Sequence, residues 1–174
     1  GCSGSSVIGA GREVELKPGF AMMAGSLPNV GITSFHIENN DMPDGDDPPS
    51  SWENLIDVKS EKCPSFVILA DPFSIQVGQF LMGLDFAFPD SSMIGGLASG
   101  GRMHGENALY MNGNIYRSGA IGLAFQGDLA LDTVVAQGCR PIGSVMQVTR
   151  CEGNELLELN EQTPFEILKE IFSL

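Results

Sequence analysis

Residues 65–101, SFVILADPFSIQVGQFLMGLDFAFPDSSMIGGLASGG, decide the fold of this chain. SFVILA is a continuous apolar run and reads as a strand. Asp71-Pro72 then supply an N-cap and a first-turn proline. Phe73, Val77, Phe80, Leu81 and Leu84 recur at spacings of three and four, which predicts one buried helical stripe. Gly78 and Gly83 each cost ~1 kcal/mol against alanine inside a helix, so close packing against a sheet is expected there. After a Pro89-Asp90 turn, SSMIGGLASGG reads as a strand running into a glycine turn. Strand, helix, strand is a β-α-β unit, and it lays helices on a sheet.

Downstream, NALYMNG, GAIGLAF and ALDTVVAQ read as strands separated by NGN and QGD turns, with VMQVTRCEG and NELLELN as shorter candidates. QTPFEILKEIFSL closes the chain as a helix. Thr163 caps it, Pro164 takes the first position, Glu166 completes a capping box, and Phe165, Leu168, Ile171 and Phe172 form the expected buried face. Upstream, GCSGSSVIGAG, REVEL and a Pro18-Gly19 turn precede FAMMAGSL, a buried-strand candidate, and GITSFHI alternates as another strand. ENNDMPDGDDPPSS is a loop by its local chemistry. Its aspartates Asp41, Asp44, Asp46 and Asp47 miss the calcium-loop spacing, and no Glu stands at the twelfth position. SSWENLIDV then predicts a short helix with Ser50 and Glu53 as its capping box.

IGGLASGG…ALYMNG…GAIGLAFQGD parallels GCSGSSVIGAGREVELKPGFAMMAGSLPN at an offset of roughly 95 residues, an internal duplication. The second copy has a strand and a helix before its glycine turn, whereas the first copy starts at the turn. A strand and a helix are therefore expected to precede Gly1, and sequence is expected to continue past Leu174. The expected architecture is α/β, with α+β as the alternative. It has a mixed, largely antiparallel sheet and two or three helices in a single domain over residues 1–174.

The chain has 174 residues, 43% of them hydrophobic, enough for one real core. No apolar stretch reaches the ~18 residues that cross a bilayer. Nine basic against 22 acidic residues give a net charge of −13, and the arginines are scattered, which argues against nucleic acid as a partner. Cys2, Cys63, Cys139 and Cys151 show no CxxC pairing and no zinc-finger histidine, so neither a disulfide framework nor a metal site is expected. Free thiols point to an intracellular, reducing compartment.

Three stretches, GCSGSSVIGAGREVE, DPFS leading to IGGLASGG, and VVAQGCRPIG followed by VTRCEGN, together resemble the N-terminal part of FIST-domain proteins. The resemblance covers nearly the whole chain, and the acidic segment 39–51 stands outside it as an insertion. The family's opening strand and helix, and its C-terminal companion domain, have no counterpart here. What the resemblance implies is an intracellular sensor of small ligands such as amino acids, without catalysis.

Glycine turns at strand ends bring bare backbone N–H groups within reach of a ligand, and such nests favour anions. The candidate ligand-binding residues are Cys2, Ser3 and Gly4; Gly95, Gly96, Ser99 and Gly100, with Gly101 beside them; and Gly138, Cys139 and Arg140. Arg140 is the candidate carboxylate or phosphate clamp. No cofactor is expected. Catalysis would need Cys2 or Cys139 as a nucleophile with His36 or His104 as base, yet GCSGS is not G-x-S-x-G and GAGREV is not G-x-G-x-x-G. The alternatives to a small-ligand sensor are thus a scaffold subunit and a cysteine-dependent enzyme. An open sheet edge would call for a protein partner or companion domain.

Overall fold

The computed structural model describes residues 1–15, 17–135, 138–153 and 155–172. They form two compact units, Gly1–Thr133 and Val134–Leu174. In the first, the strands are β1 (Ser6–Gly9), β2 (Arg12–Glu15), β3 (Val30–Ile37), β4 (Ser65–Ala70), β5 (Met93–Leu97), β6 (Leu109–Met111), β7 (Asn114–Tyr116) and β8 (Ala120–Gly127). Its helices are α1 (Pro49–Ile56) and α2 (Val77–Ala87). The central sheet has the order β3-β8-β4-β5. β8 is antiparallel to both β3 and β4, while β4 and β5 are parallel and joined by α2. The fold is α/β with a mixed, largely antiparallel sheet, as expected.

SFVILA forms β4, and its burial alternates: Phe66, Ile68 and Ala70 are buried on one face. They join Phe35, Ile37, Ala120 and Ala124 of the neighbouring strands, and Trp52, Ile56, Phe80 and Leu84 of the two helices, in one core. β8 makes room by being small on this face. A Cβ at Gly122 would collide with the Phe35 ring across the ladder. On the other face a smaller cluster joins Ala98, Leu109 and Ile121, with Cys2, Leu69 and Tyr116 packed against it.

Local details depart from the sequence expectation where a tertiary partner takes over a side chain. α2 starts at Val77, so Asp71-Pro72 is not its cap and Phe73 lies outside it, 45% exposed. Phe80, Leu84 and Ala87 are its buried residues, and Leu81 is exposed. Gly83 abuts Trp52 of α1, not the sheet, and Gly78 faces open space. α1 begins at Pro49 with no side-chain cap. Glu53 instead accepts the Ser60 N–H at 2.8 Å, the Ser60 hydroxyl at 2.5 Å and the Lys59 ammonium at 3.1 Å. These donors, the Ser60 hydroxyl first, lower its carboxyl from the usual 4.5 to about 2.

FAMMAGSL is not a strand, and Phe20 and Met23 are 81% and 97% exposed. The turn of the first hairpin falls at Ala10-Gly11, not at Pro18-Gly19. Within segment 39–51, Asn39–Asp41 forms one 3-10 turn.

The second unit holds the antiparallel pair β9 (Val148–Glu152) and β10 (Glu155–Leu159), then α3 (Pro164–Phe172). Arg150 and Glu158 bridge the pair at 2.9 Å. The capping box forms as expected: the Thr163 hydroxyl and N–H donate to the Glu166 carboxylate at 2.8 and 3.1 Å, which lowers that carboxyl, and the hydroxyl accepts the Glu166 N–H at 3.4 Å. The buried side of α3 carries Ile167, whereas Phe165, Leu168 and Phe172 are exposed. ALDTVVAQ is not a strand over 130–135, and its last two residues, like Leu16, Asn154, Ser173 and Leu174, lie outside the described residues.

Candidate functional site

Where β4 ends, Asp71 and Asn107 are buried polar residues, 0% and 1% exposed. Buried polar groups must find partners inside the protein, and these do. Asn107 donates its amide to Asp71 at 2.8 Å, and the Ser74 hydroxyl donates to the other carboxylate oxygen at 2.5 Å. Ser74 in turn accepts the Gly119 N–H at 2.8 Å. The Asn107 carbonyl accepts the Gly101 N–H at 2.8 Å and the Ser3 hydroxyl at 3.3 Å, and Ser3 accepts the Ala108 N–H at 2.9 Å. One chain of hydrogen bonds therefore ties the N-terminal residues, the turn after β5, the end of β4 and the start of β8.

This network brings two of the predicted glycine corners together. Ser99 donates its N–H to the Ser3 carbonyl at 3.1 Å, and its hydroxyl accepts the Ser5 N–H at 3.2 Å. A Cβ at Gly100 would meet Ser3, and one at Gly101 would collide with Glu106. Cys2 pairs with Leu109, and the Ser3 N–H donates to Ala108 at 2.8 Å. The amides of Ser3, Ser5, Ser99 and Gly101 thus bond to protein acceptors: the corner is a clasp between chain segments. Gly4 lies in it, beside Ser99.

Gly95 and Gly96 lie inside β5, one step before the clasp. They line an apolar cleft of about 360 Å³ with Ile68, Ala70, Val77 and Phe80 among its walls. Gly95 is required by contact, since a Cβ would run into the Ile68 carbonyl on β4. At Gly96 a Cβ would meet nothing within 4 Å and would project into open space. β5 is the last strand of the sheet, with Ile94 and Leu97 exposed along it. In open α/β sheets ligands collect around such strand ends.

Gly138, Cys139 and Arg140 belong to the second unit, where all three are exposed. Burial pushes the Cys2 thiol up, away from the thiolate that a nucleophile needs. His36 stacks on Tyr116 with ring centroids 4.0 Å apart, and its Nε2 lies 3.0 Å from the Ser118 carbonyl. Its partners are therefore not cysteine. Among the described residues no group of three His, Cys, Asp or Glu could hold a metal ion, and no helix is long and apolar enough to cross a membrane. Sequence reasoning missed the Asp71–Asn107–Ser74 network. Asp71-Pro72 carried a signal, misread as a helix cap, while Asn107 carried none.

A Mycobacterium tuberculosis protein, Rv0628c, is 27% identical over 173 residues, which cover 98% of this chain and 43% of the relative. A Mycobacterium bovis protein, Mb0898c, is 32% identical over 105 residues, 60% of this chain and 27% of the relative. The chain thus spans less than half the length of the curated relatives it matches. No solved structure matches it. The model of the FIST N domain matches residues 1–162, which include all of the sequence that builds the sheet, the clasp and the cleft. The chain belongs to the FIST N domain family, a family of sensory, small-ligand-binding domains.

Proposed function

We propose that this chain is the non-catalytic, ligand-binding part of an intracellular sensory protein. Its ligand is a small anionic metabolite or amino acid held in the cleft between β5 and α2. The observation that carries this reading is the apolar cleft of about 360 Å³ between β5 and α2, next to the clasp. A cleft that size suits a small molecule, and its apolar walls favour an aliphatic part. Ser99, just past the end of β5, accepts the Ser5 amide and keeps its own hydroxyl proton to donate to a carboxylate. The four cysteines are free thiols, in keeping with a reducing compartment.

The test is thermal denaturation against a panel of amino acids and small carboxylates. A cognate ligand at about 100 times its Kd should stabilise by ~2.7 kcal/mol. Leu81→Glu puts a charge on the exposed wall of the cleft and should abolish that gain while leaving the unliganded melting curve in place. An unchanged gain in Leu81→Glu, or its loss in Arg140→Ala alone, would relocate the site and sink this reading. The open edge of β5, with Ile94 and Leu97 exposed, also supports the scaffold reading, in which a companion domain or partner strand covers it. Concentration-dependent elution of the isolated chain, reversed by a lysine at Leu97, would favour that second reading.

A further inference from the structure

We propose a second site on the opposite side of α2: a docking groove for a basic, amphipathic segment of a partner protein. The groove is about 460 Å³ and runs between the 43–47 loop and α2. Its floor is the buried Trp52, and Gly83 permits the close approach of the two helices there, since a Cβ would collide with the indole. One wall carries Met82 and Phe86, one helical turn apart on α2 and 72% and 58% exposed. Large apolar side chains at i and i+4, open to solvent beside a groove, are the footprint that an amphipathic helix fills.

The other wall decides the partner's charge. Asp47 accepts the Asp44 N–H at 2.9 Å and donates its own N–H to the Asp44 carbonyl at 3.0 Å, which folds the loop and leaves it at the rim. Residues 37–58 contain seven carboxylates and no lysine or arginine. Between Cys63 and Gly101 there is again no lysine or arginine, and α2 adds Asp85. Lys59, the nearest cation in sequence, is taken by Glu53 at 3.1 Å. Among the described residues Asp44, Asp46 and Asp47 have no salt-bridge partner, and complementarity selects lysine or arginine flanking an apolar anchor. The groove shares no lining residue with the proposed ligand cleft.

Trp52 is the single tryptophan, so its fluorescence reads the groove directly. The probe is a tryptophan-free amphipathic Lys/Leu helical peptide titrated into the full chain. The controls are a Glu/Leu peptide of the same pattern and oligolysine. The Lys/Leu peptide should shift Trp52 emission saturably, and its affinity should fall about tenfold or more on going to high salt. Met82→Ser with Phe86→Ser should weaken it about tenfold, and Asp44→Asn with Asp46→Asn several-fold. All four positions are exposed, and a retained melting curve shows that the fold is kept. No shift of Trp52 emission, equal binding of oligolysine or the Glu/Leu peptide, or an affinity untouched by Met82→Ser with Phe86→Ser would overturn the proposal. Concentration-dependent self-association lost in the same double variant would overturn it in favour of a second copy of the chain.

Discussion

The hairpins β1–β2 and β6–β7 have the same local design and different fates. Each closes with two residues whose φ is positive: Ala10 at 50° and Gly11 at 71° in one, Asn112 at 51° and Gly113 at 78° in the other. That is the mirror-image turn whose twist suits a two-residue hairpin. Yet Ile8 of the first hairpin is 74% exposed, while Leu109 of the second is fully buried. The second hairpin is held from below by Ile121 and Ala98, and along its edge by residues Gly1–Ser3. Among the described residues the first is covered by its own following segment, where Gly19 packs against Val7 and Val14. Turn chemistry makes a hairpin; a neighbouring sheet makes it part of the core.

The comparison breaks most directly at the buried residue. Leu109→Ala should destabilise the first unit by about 2–5 kcal/mol, whereas Ile8→Ala should stay within about 0.5 kcal/mol. Equal losses by denaturant titration would show that both hairpins share the core. Asn107→Ala comes next. It strands an Asp71 oxygen and the Gly101 amide, and the loss should be about 1–3 kcal/mol. Ser3→Ala removes a weaker contact and should cost less; a larger loss for Ser3 would move the anchor of the clasp to the N-terminal residues.

The turns should behave alike. Gly11→Ala and Gly113→Ala each force a side chain into the left-handed region at ~1 kcal/mol. For Gly113 the loss should appear in global unfolding. For Gly11 it should appear only in hydrogen exchange of β1 and β2, which open independently of the core. The smallest effect lies outside both hairpins. Glu53 is held at about 2, below its usual 4.5. Its contribution is therefore complete above that usual value and is lost as the pH falls toward 2. Glu53→Gln should flatten that stretch of the stability–pH curve, and a curve superimposable on the parent would show that the Ser60 contacts carry no stability.

Much of this molecule was legible before any coordinates. The β-α-β unit, the Asn112-Gly113 turn, the Thr163–Glu166 capping box and the mixed sheet follow from periodicity, proline and glycine placement, because those signals act within a few residues. The candidate site was legible only in part. The glycine corners at Ser3 and Ser99 do meet, but they meet as a hydrogen-bonded clasp, and the apolar cleft lies one step away, along β5.

Apolar runs show where local reasoning stops. SFVILA and FAMMAGSL look alike as strings, but the first has β8 on one side and β5 on the other, while the second has no strand partner among the described residues. Sequence by itself determined which segments could form strands, turns and helices, since backbone preference and side-chain period are short-range. Only the tertiary structure decided which of them are buried, that Asp71 binds Asn107 instead of capping a helix, and that Glu53 reaches Ser60. Burial and hydrogen-bond satisfaction depend on neighbours far away in the chain, such as Asn107, which lies 36 residues from Asp71.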